Sequence, residues 1–239
     1  MRKQNYSSQA IIFDLDDTLY KEVDYVMSAY HHIDRLLVAD YDIEPGTAFE
    51  ILQYSFYHNV NAFDALAAHL ERIGVHIPDA IAWMIDEYRN HTPIISLDDN
   101  TLNTLQYFWE LNVPMFIITD GRSFTQRNKI RSLGIDEFIP WENIFISEEV
   151  GYDKTNPYAF NEIKKRFDDF ETVEFVFVGD NPAKDFLVAN THGGLSVLLL
   201  DNGQNIHPQD IYVDNKHKAR YYIKQIKELN DYVADFLYF

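Results

Sequence analysis

The sequence predicts an α/β protein, a doubly wound parallel sheet core with an all-helical cap inserted near its start, on three observations. First, short apolar runs recur at residues 10–13, 113–118, 144–146, 175–178 and 196–200, each bounded by turn or acidic residues. Runs that are apolar throughout belong to strands buried on both faces, as in a parallel sheet. Second, helix-length segments alternate with these strands, with apolar residues three and four apart, as in Leu102, Leu105, Phe108 and Trp109 or Ala159, Ile163 and Phe167. Strand and helix in alternation build a Rossmann-like core. Third, the rhythm breaks between Glu22 and His91, where the periodicity is helical and no strand is visible.

In that break Val26, Tyr30, Ile33 and Leu37 fall on one helical face and Phe63, Leu66, Ala67 and Leu70 on another, with Gly46, Gly74 and Pro78 as punctuation. About seventy residues are far too many for a loop, so they read as an inserted domain. The expected organisation is a catalytic core of 1–21 and 93–239 and a cap of 22–92. After Leu200 the chain carries an Asp-Asn-Gly turn and a short Ile211-Tyr212-Val213 run. A closing helix is expected over 216–237, with Tyr222, Ile223, Ile226, Leu229 and Val233 as its apolar side, packed on the sheet or against a second copy. The sequence leaves the oligomeric state undetermined.

Composition excludes several functions. With 38 acidic and 20 basic side chains the net charge is −18, and no dense Lys/Arg run is present. A nucleic-acid polymer is therefore not an expected partner, because neutralising phosphates takes a basic patch. There is no cysteine, which removes disulfides, thiolate zinc sites and cysteine nucleophiles. The first residues lack a long apolar stretch and a small-residue cleavage site, and no run approaches the ~20 residues of a membrane span. A cytoplasmic protein with no membrane partner is the expectation.

Three strand ends carry polar clusters. The first runs Phe13-Asp14-Leu15-Asp16-Asp17-Thr18-Leu19-Tyr20, the next ends in Thr119-Asp120-Gly121, and 175–178 leads into Gly179-Asp180-Asn181-Pro182-Ala183-Lys184-Asp185. A lone Asp-x-Asp is weak in so acidic a chain, and Asp40 with Asp42 is the expected decoy. Position raises the first pair above chance, because ligands of open α/β sheets bind beyond the carboxyl ends of the strands. Several carboxylates brought together repel and need a cation. An all-oxygen site without Cys or clustered His suits magnesium, which takes one or two protein carboxylates and substrate phosphate. One ionised Asp can then attack phosphorus while a second carboxyl handles the proton of the leaving oxygen and of water.

These motifs, in this order, resemble the haloacid dehalogenase superfamily, in its magnesium-dependent phosphatase branch with a helical cap between the first two motifs. The resemblance spans about residues 10–205. It implies hydrolysis of a phosphate monoester through an aspartyl-phosphate, with Asp14 as nucleophile and Asp16 as general acid/base. It implies Mg2+ held by Asp14, by Asp16 through its backbone carbonyl, and by Asp180 and Asp185. Thr119, Asp120 and Lys154 would form the phosphate-binding set, with Lys154 offsetting charge on nucleophile and phosphate. Many relatives carry Lys-Pro-Asp-Pro at the third motif, whereas this chain has Lys154-Thr155-Asn156-Pro157, which alters the turn that delivers the lysine. The implied partner is a small phosphorylated metabolite chosen by the cap.

Within the family Asp16 argues against the dehalogenase reaction, and the absence of any lysine from 22–92 argues against the phosphonate-cleaving one. A sugar phosphomutase of the same fold stays open as the alternative enzyme. A phosphate-binding module without turnover stays open as the alternative class. After the second motif, Arg122, Arg127 and Lys129 either favour an anion at the helix start or cover a solvated face. The cap histidines His31, His32, His58, His69, His76 and His91 fit no metal spacing and are expected as solvated or partly buried helix residues.

Overall fold

A computed structural model describes residues 9–231 of the chain. It divides into two compact units, one running to Glu22 and resuming at Ser96, the other Val23–Ile95. The first unit holds six parallel strands: β1 (Gln9–Phe13), β2 (Met115–Thr119), β3 (Ile144–Ile146), β4 (Glu174–Gly179), β5 (Leu195–Leu199) and β6 (Tyr221–Ile223). Their order across the sheet is β3-β2-β1-β4-β5-β6, with every pairing parallel. The chain winds outward from β1 through β2 to β3 and then crosses back to place β4 on the other side of β1. That reversal opens a crevice between the carboxyl ends of β1 and β4, the usual ligand position in such sheets.

Alternation along the strands divides the core into two faces. Ala10, Ile12, Phe116, Phe145, Phe175 and Phe177 form one face, packed with Ala159, Phe160 and Ile163 of α8 (Tyr158–Lys164) and Val188 and Ala189 of α9 (Leu187–His192). Phe160 sits edge-on to both Phe175 and Phe177, with ring centroids 5.0 and 4.9 Å away. The remaining helices of this unit are α5 (Asp99–Glu110), capped by the Asp98 side chain on the Thr101 N–H, α6 (Ser123–Ser132) and the single turn α7 (Ser147–Val150).

The second unit contains the rest of α1 (Glu22–Tyr41), then α2 (Thr47–Tyr57), α3 (Ala62–Arg72) and α4 (Ala80–Asn90). Val26, Tyr30, Ile33, Leu37, Leu66 and Leu70 are all buried, as the helical period requires. Buried Asp34 of α1 accepts N–H bonds from Gly46, Ala48 and Phe49, which satisfies the otherwise unpaired start of α2. No helix among the described residues is long and apolar enough to cross a membrane.

The tail departs from expectation. The apolar run 211–213 has no regular secondary structure, and its Tyr212 is fully exposed. In place of a helix from 216, β6 pairs with β5 and a short 3-10 turn, Ile226–Glu228, packs on α5. Ile223, Ile226 and Leu229 are buried, but one ends a strand, the next sits in the 3-10 turn and only the third lies in an α-helical stretch, residues 229–231, so the helix begins later than expected. The expected helix beyond 231, with Val233, lies outside the described residues. Because Phe160 is wholly buried between two aromatic neighbours, Phe160→Ala should lower the unfolding free energy by about 3–5 kcal/mol in denaturant titration.

Candidate active site

Asp14 follows β1 and continues its pairing, donating its N–H to Val178 O at 2.9 Å. This puts its side chain at the crevice between β1 and β4. Lys154 Nζ lies 2.6 Å from Asp14 Oδ1 and 2.9 Å from Asp185 Oδ1, in a side chain only 10 % exposed. Burial pushes the Asp14 carboxyl up to about 7, with Lys154 opposing and Asp185 and Asp16 adding to the rise. Burial disfavours the ammonium, yet Asp14 and Asp185 hold Lys154 well above its ordinary value.

The lysine is delivered by a turn built from side chains. Asp153 Oδ1 accepts the Thr155 N–H at 2.9 Å and its hydroxyl at 2.5 Å, and Asn156 Oδ1 accepts the Tyr158 N–H at 2.9 Å. Such Asx bonds mimic a backbone turn and supply the bend that prolines would otherwise preset. The turn is tied to the second motif through Asp120, whose Oδ1 accepts the Lys154 N–H at 3.0 Å while Oδ2 pairs with Lys184. Asp120 thus anchors the lysine loop.

Asp180 is buried one residue beyond β4, and Asn205 Nδ2 donates to its Oδ2 at 2.9 Å. Burial, then Asp14, Asp185 and Asp17, push its carboxyl up to about 9. Asp185 Oδ2 accepts the Asn181 N–H at 2.7 Å. One oxygen from each of Asp14, Asp180 and Asp185 lies within 4.8 Å of the other two. A magnesium ion with oxygens at about 2.1 Å keeps its ligands within roughly 4.2 Å of one another, so small side-chain adjustments would close these three around one ion. The donors are hard oxygens, and two of the three carboxyls are destabilised as anions. The residues fit magnesium.

Asp16 does not join this triad through its side chain. Its Oδ1 accepts from the Tyr20 hydroxyl at 2.5 Å and from Lys129 Nζ at 2.7 Å, and its Oδ2 from Gln126 Nε2 at 2.8 Å. Burial works against ionisation, but the Lys129 charge and these bonds outweigh it and leave Asp16 below the ordinary carboxyl value. Thr119 is buried at the end of β2, with its Oγ1 accepting from the same Gln126 nitrogen at 2.7 Å. Asp17, at φ 57°, turns away, accepting the N–H groups of Glu22 and Ile206.

Lys129 is a correction. It does not cover a solvated face: it is buried on Asp16, with the Glu22 carboxylate 3.8 Å away. Burial, then Asp16, push the Glu22 carboxyl up to about 8. Arg127 pairs with Glu149 at the surface, and Arg122 is exposed. The decoy pair Asp40 and Asp42 is exposed in the other unit. Sequence reasoning also missed Tyr20, Gln126, Asn205 and Gln209, the last donating to both Asp180 O and Leu199 O. The one available signal was in α6, where Gln126 and Lys129 occupy the buried face together with Ile130, in slots that the helical period reserves for apolar residues.

A doubly wound sheet with a buried lysine and three carboxylates at its carboxyl edge defines an α/β enzyme of the acid-cluster type. The chain belongs to the haloacid dehalogenase-like hydrolase family, whose model matches residues 9–193. It is 29% identical over 233 residues to a glyceraldehyde 3-phosphate phosphatase of Methanocaldococcus jannaschii, covering 95% of this chain and 97% of that one. Its fold is similar to that of magnesium-bound YfnB of Bacillus subtilis, assigned provisionally as a HAD-hydrolase, with TM-score 0.61, 20% identity and coverage of 95% and 98%. It is equally similar in sequence to a 2-haloacid dehalogenase from Pseudomonas syringae pv. Tomato DC3000, with TM-score 0.56, 20% identity and coverage of 95% and 99%. The fold is shared by relatives of different chemistry, so the reaction has to be argued from residues.

Gly179 leaves the room that Asp185 needs, since a Cβ there would fall on its carboxylate, 2.7 Å from its Cβ and Cγ. Gly179→Ala should therefore weaken magnesium binding by about 10–100-fold in calorimetry, as loss of a ligand's support commonly does, with the circular dichroism spectrum unchanged.

Proposed function

We propose that the protein is a magnesium-dependent phosphatase that hydrolyses a small phosphate monoester through an aspartyl-phosphate on Asp14. The observation that carries this reading is the contact of Asp14 with Lys154 inside the cluster completed by Asp180 and Asp185. An oxygen of Asp14 attacks phosphorus as the ester P–O bond breaks, and Asp16, ionised in the free protein, takes up a proton from solvent as the anionic substrate enters and passes it to the leaving oxygen. Water then attacks the phosphoryl group, Asp16 takes a proton from it, and the Asp14–phosphorus bond opens to release inorganic phosphate. The bonds from Lys129, Tyr20 and Gln126 favour ionised Asp16, the form required in that second step.

Lys154 offsets the charge that gathers on Asp14 and the phosphoryl oxygens, and Thr119 donates its hydroxyl hydrogen to one of them. Magnesium, held by Asp14, Asp180 and Asp185 with the Asp16 carbonyl, would supply the positive charge that keeps Asp14 ionised and draws phosphate into an acidic protein. Asp16 also separates this reading from dehalogenation, which protonates no alkoxide. The names of the phosphatase relatives make a triose phosphate, glyceraldehyde 3-phosphate, the first member of the substrate class to try.

Phosphate release should be seen from glyceraldehyde 3-phosphate or another small phosphomonoester, and Asp14→Asn should reduce it by about 1,000-fold or more with the fold intact. Isomerised product with little free phosphate would instead identify a mutase, and activity retained in Asp14→Asn would remove the nucleophile. A metal chelator should abolish turnover and lower the melting temperature of the magnesium-loaded protein. Because the Asp14 and Asp180 carboxyls rise to about 7 and about 9, the cation must displace protons that these groups hold at low pH. Calorimetric magnesium affinity should accordingly increase from about pH 6 to about pH 9, with protons released on binding.

A further inference from the structure

Gln126 is buried on the first turns of α6, placed there by the helical bond from its own N–H to Arg122 O at 2.9 Å. Its side-chain nitrogen meets Asp16 Oδ2 at 2.8 Å and Thr119 Oγ1 at 2.7 Å. An amide nitrogen carries two hydrogens, and these two contacts use both. The orientation of the amide follows from its neighbour. Asp16 has the Lys129 ammonium on its other oxygen, so it is an ionised carboxylate, which only accepts. The amide group facing it must be the nitrogen, and Thr119 Oγ1 beside that nitrogen must also accept. The hydroxyl hydrogen of Thr119 is thereby committed to donating elsewhere.

We propose that Gln126 is a positioning residue that fixes the polarity of the Thr119 hydroxyl for phosphoryl oxygen and ties Asp16 to the same anchor. The proposal rests on the phosphatase reading. Lys129 and Tyr20 also bond Asp16, and Gln126 bonds both Asp16 and Thr119 through one nitrogen. Gly121 makes room for the arrangement. A Cβ there would stand 3.1 Å from Gln126 Cγ and Cδ, and its φ of +143° disfavours a side chain.

Loss of the amide should act on phosphate binding through Thr119. Gln126→Met keeps the length and removes both donors. It should raise KM for the phosphomonoester, and raise the dissociation constant of inorganic phosphate for the magnesium-loaded protein, each by about tenfold, the usual scale of one hydrogen bond to a charged system. Gln126→Glu keeps the shape but presents acceptors, so that the Thr119 hydroxyl donates to it; phosphate should bind more weakly still. In a Thr119→Val background Gln126→Met should change the phosphate dissociation constant less than about twofold, because the group it orients is gone.

Unchanged phosphate affinity in both folded Gln126 variants would overturn the proposal, as would effects of Gln126→Met and Thr119→Val that simply multiply. If Gln126→Met does not fold, Gln126→Glu carries the same comparison. Phosphate affinity is read by calorimetry and needs no turnover. A wild-type protein that binds phosphate through Thr119 yet releases none from esters would sink the phosphatase reading while still testing the role of Gln126.

Discussion

Charge repulsion at the carboxyl edge of the sheet is the constraint around which the rest is arranged. Parallel strands β1 and β4 end side by side, and their next residues, Asp14 and Asp180, are buried carboxylates with Asp185 close by. An ion withdrawn from water loses several kcal/mol even after relaxation, and attraction between opposite charges restores this only where geometry is good. Lys154 supplies one such contact to two of the three acids. Asp180, which feels the lysine charge but is not ion-paired with it, carries the carboxyl pushed furthest up. A single lysine leaves the acidic cluster unbalanced, and the imbalance is what a divalent cation would remove.

Holding such a cluster falls to polar groups that leave few bonds unmade. Asp201 accepts the N–H groups of Gly203, Gln204 and Asn205, and this loop brings Asn205 onto Asp180 and Lys21. Gln209 bonds the backbone of Asp180 and of Leu199, joining the ends of β4 and β5. Asp17 spends its carboxylate on the N–H groups of Glu22 and Ile206, far apart in sequence. Each of these acids acts on backbone, where a short charged acceptor is a strong partner. They hold the loops and strand ends around Asp180 in place. The aromatic layer around Phe160 supplies the rigid apolar floor from which the strand ends project.

Much of this was legible in the sequence, for reasons that also explain what was not. Buried parallel strands are written as continuous apolar runs, so their number up to β5 and the polar residues after them could be read directly. The helical face of Val26, Tyr30, Ile33 and Leu37 was equally plain, because burial and period coincide there. β6 was not legible: it is a three-residue edge strand with Tyr221 and Tyr222 exposed, and its apolar residues continue at a helical spacing into the following turn. At the site, Asp14 and Lys154 were marked by position and motif. Asn205 and Gln209 were invisible because their roles depend on contacts made across long separations, and a polar residue in isolation reads as surface; Gln126 left only its slot on the inner face of α6 as a sign.

Helix α6 shows how the two demands meet. Its buried face carries Gln126 and Lys129 beside Ile130, so it contributes less apolar burial than a helix of its length normally would. Its N-cap residue, Arg122, makes no side-chain cap. The compensation comes from the short helix α7, where Glu148 accepts the Ser123 N–H at 2.7 Å and Glu149 pairs with Arg127 at 2.6 and 2.8 Å while also accepting from the Ser123 hydroxyl. Negative charge at a helix start also suits the helix dipole. The two glutamates thus supply at the helix start what its polar inner face withholds. The conflict between local preference and buried polarity falls at the one helix that touches both Asp16 and Thr119, which is where function is expected to override packing.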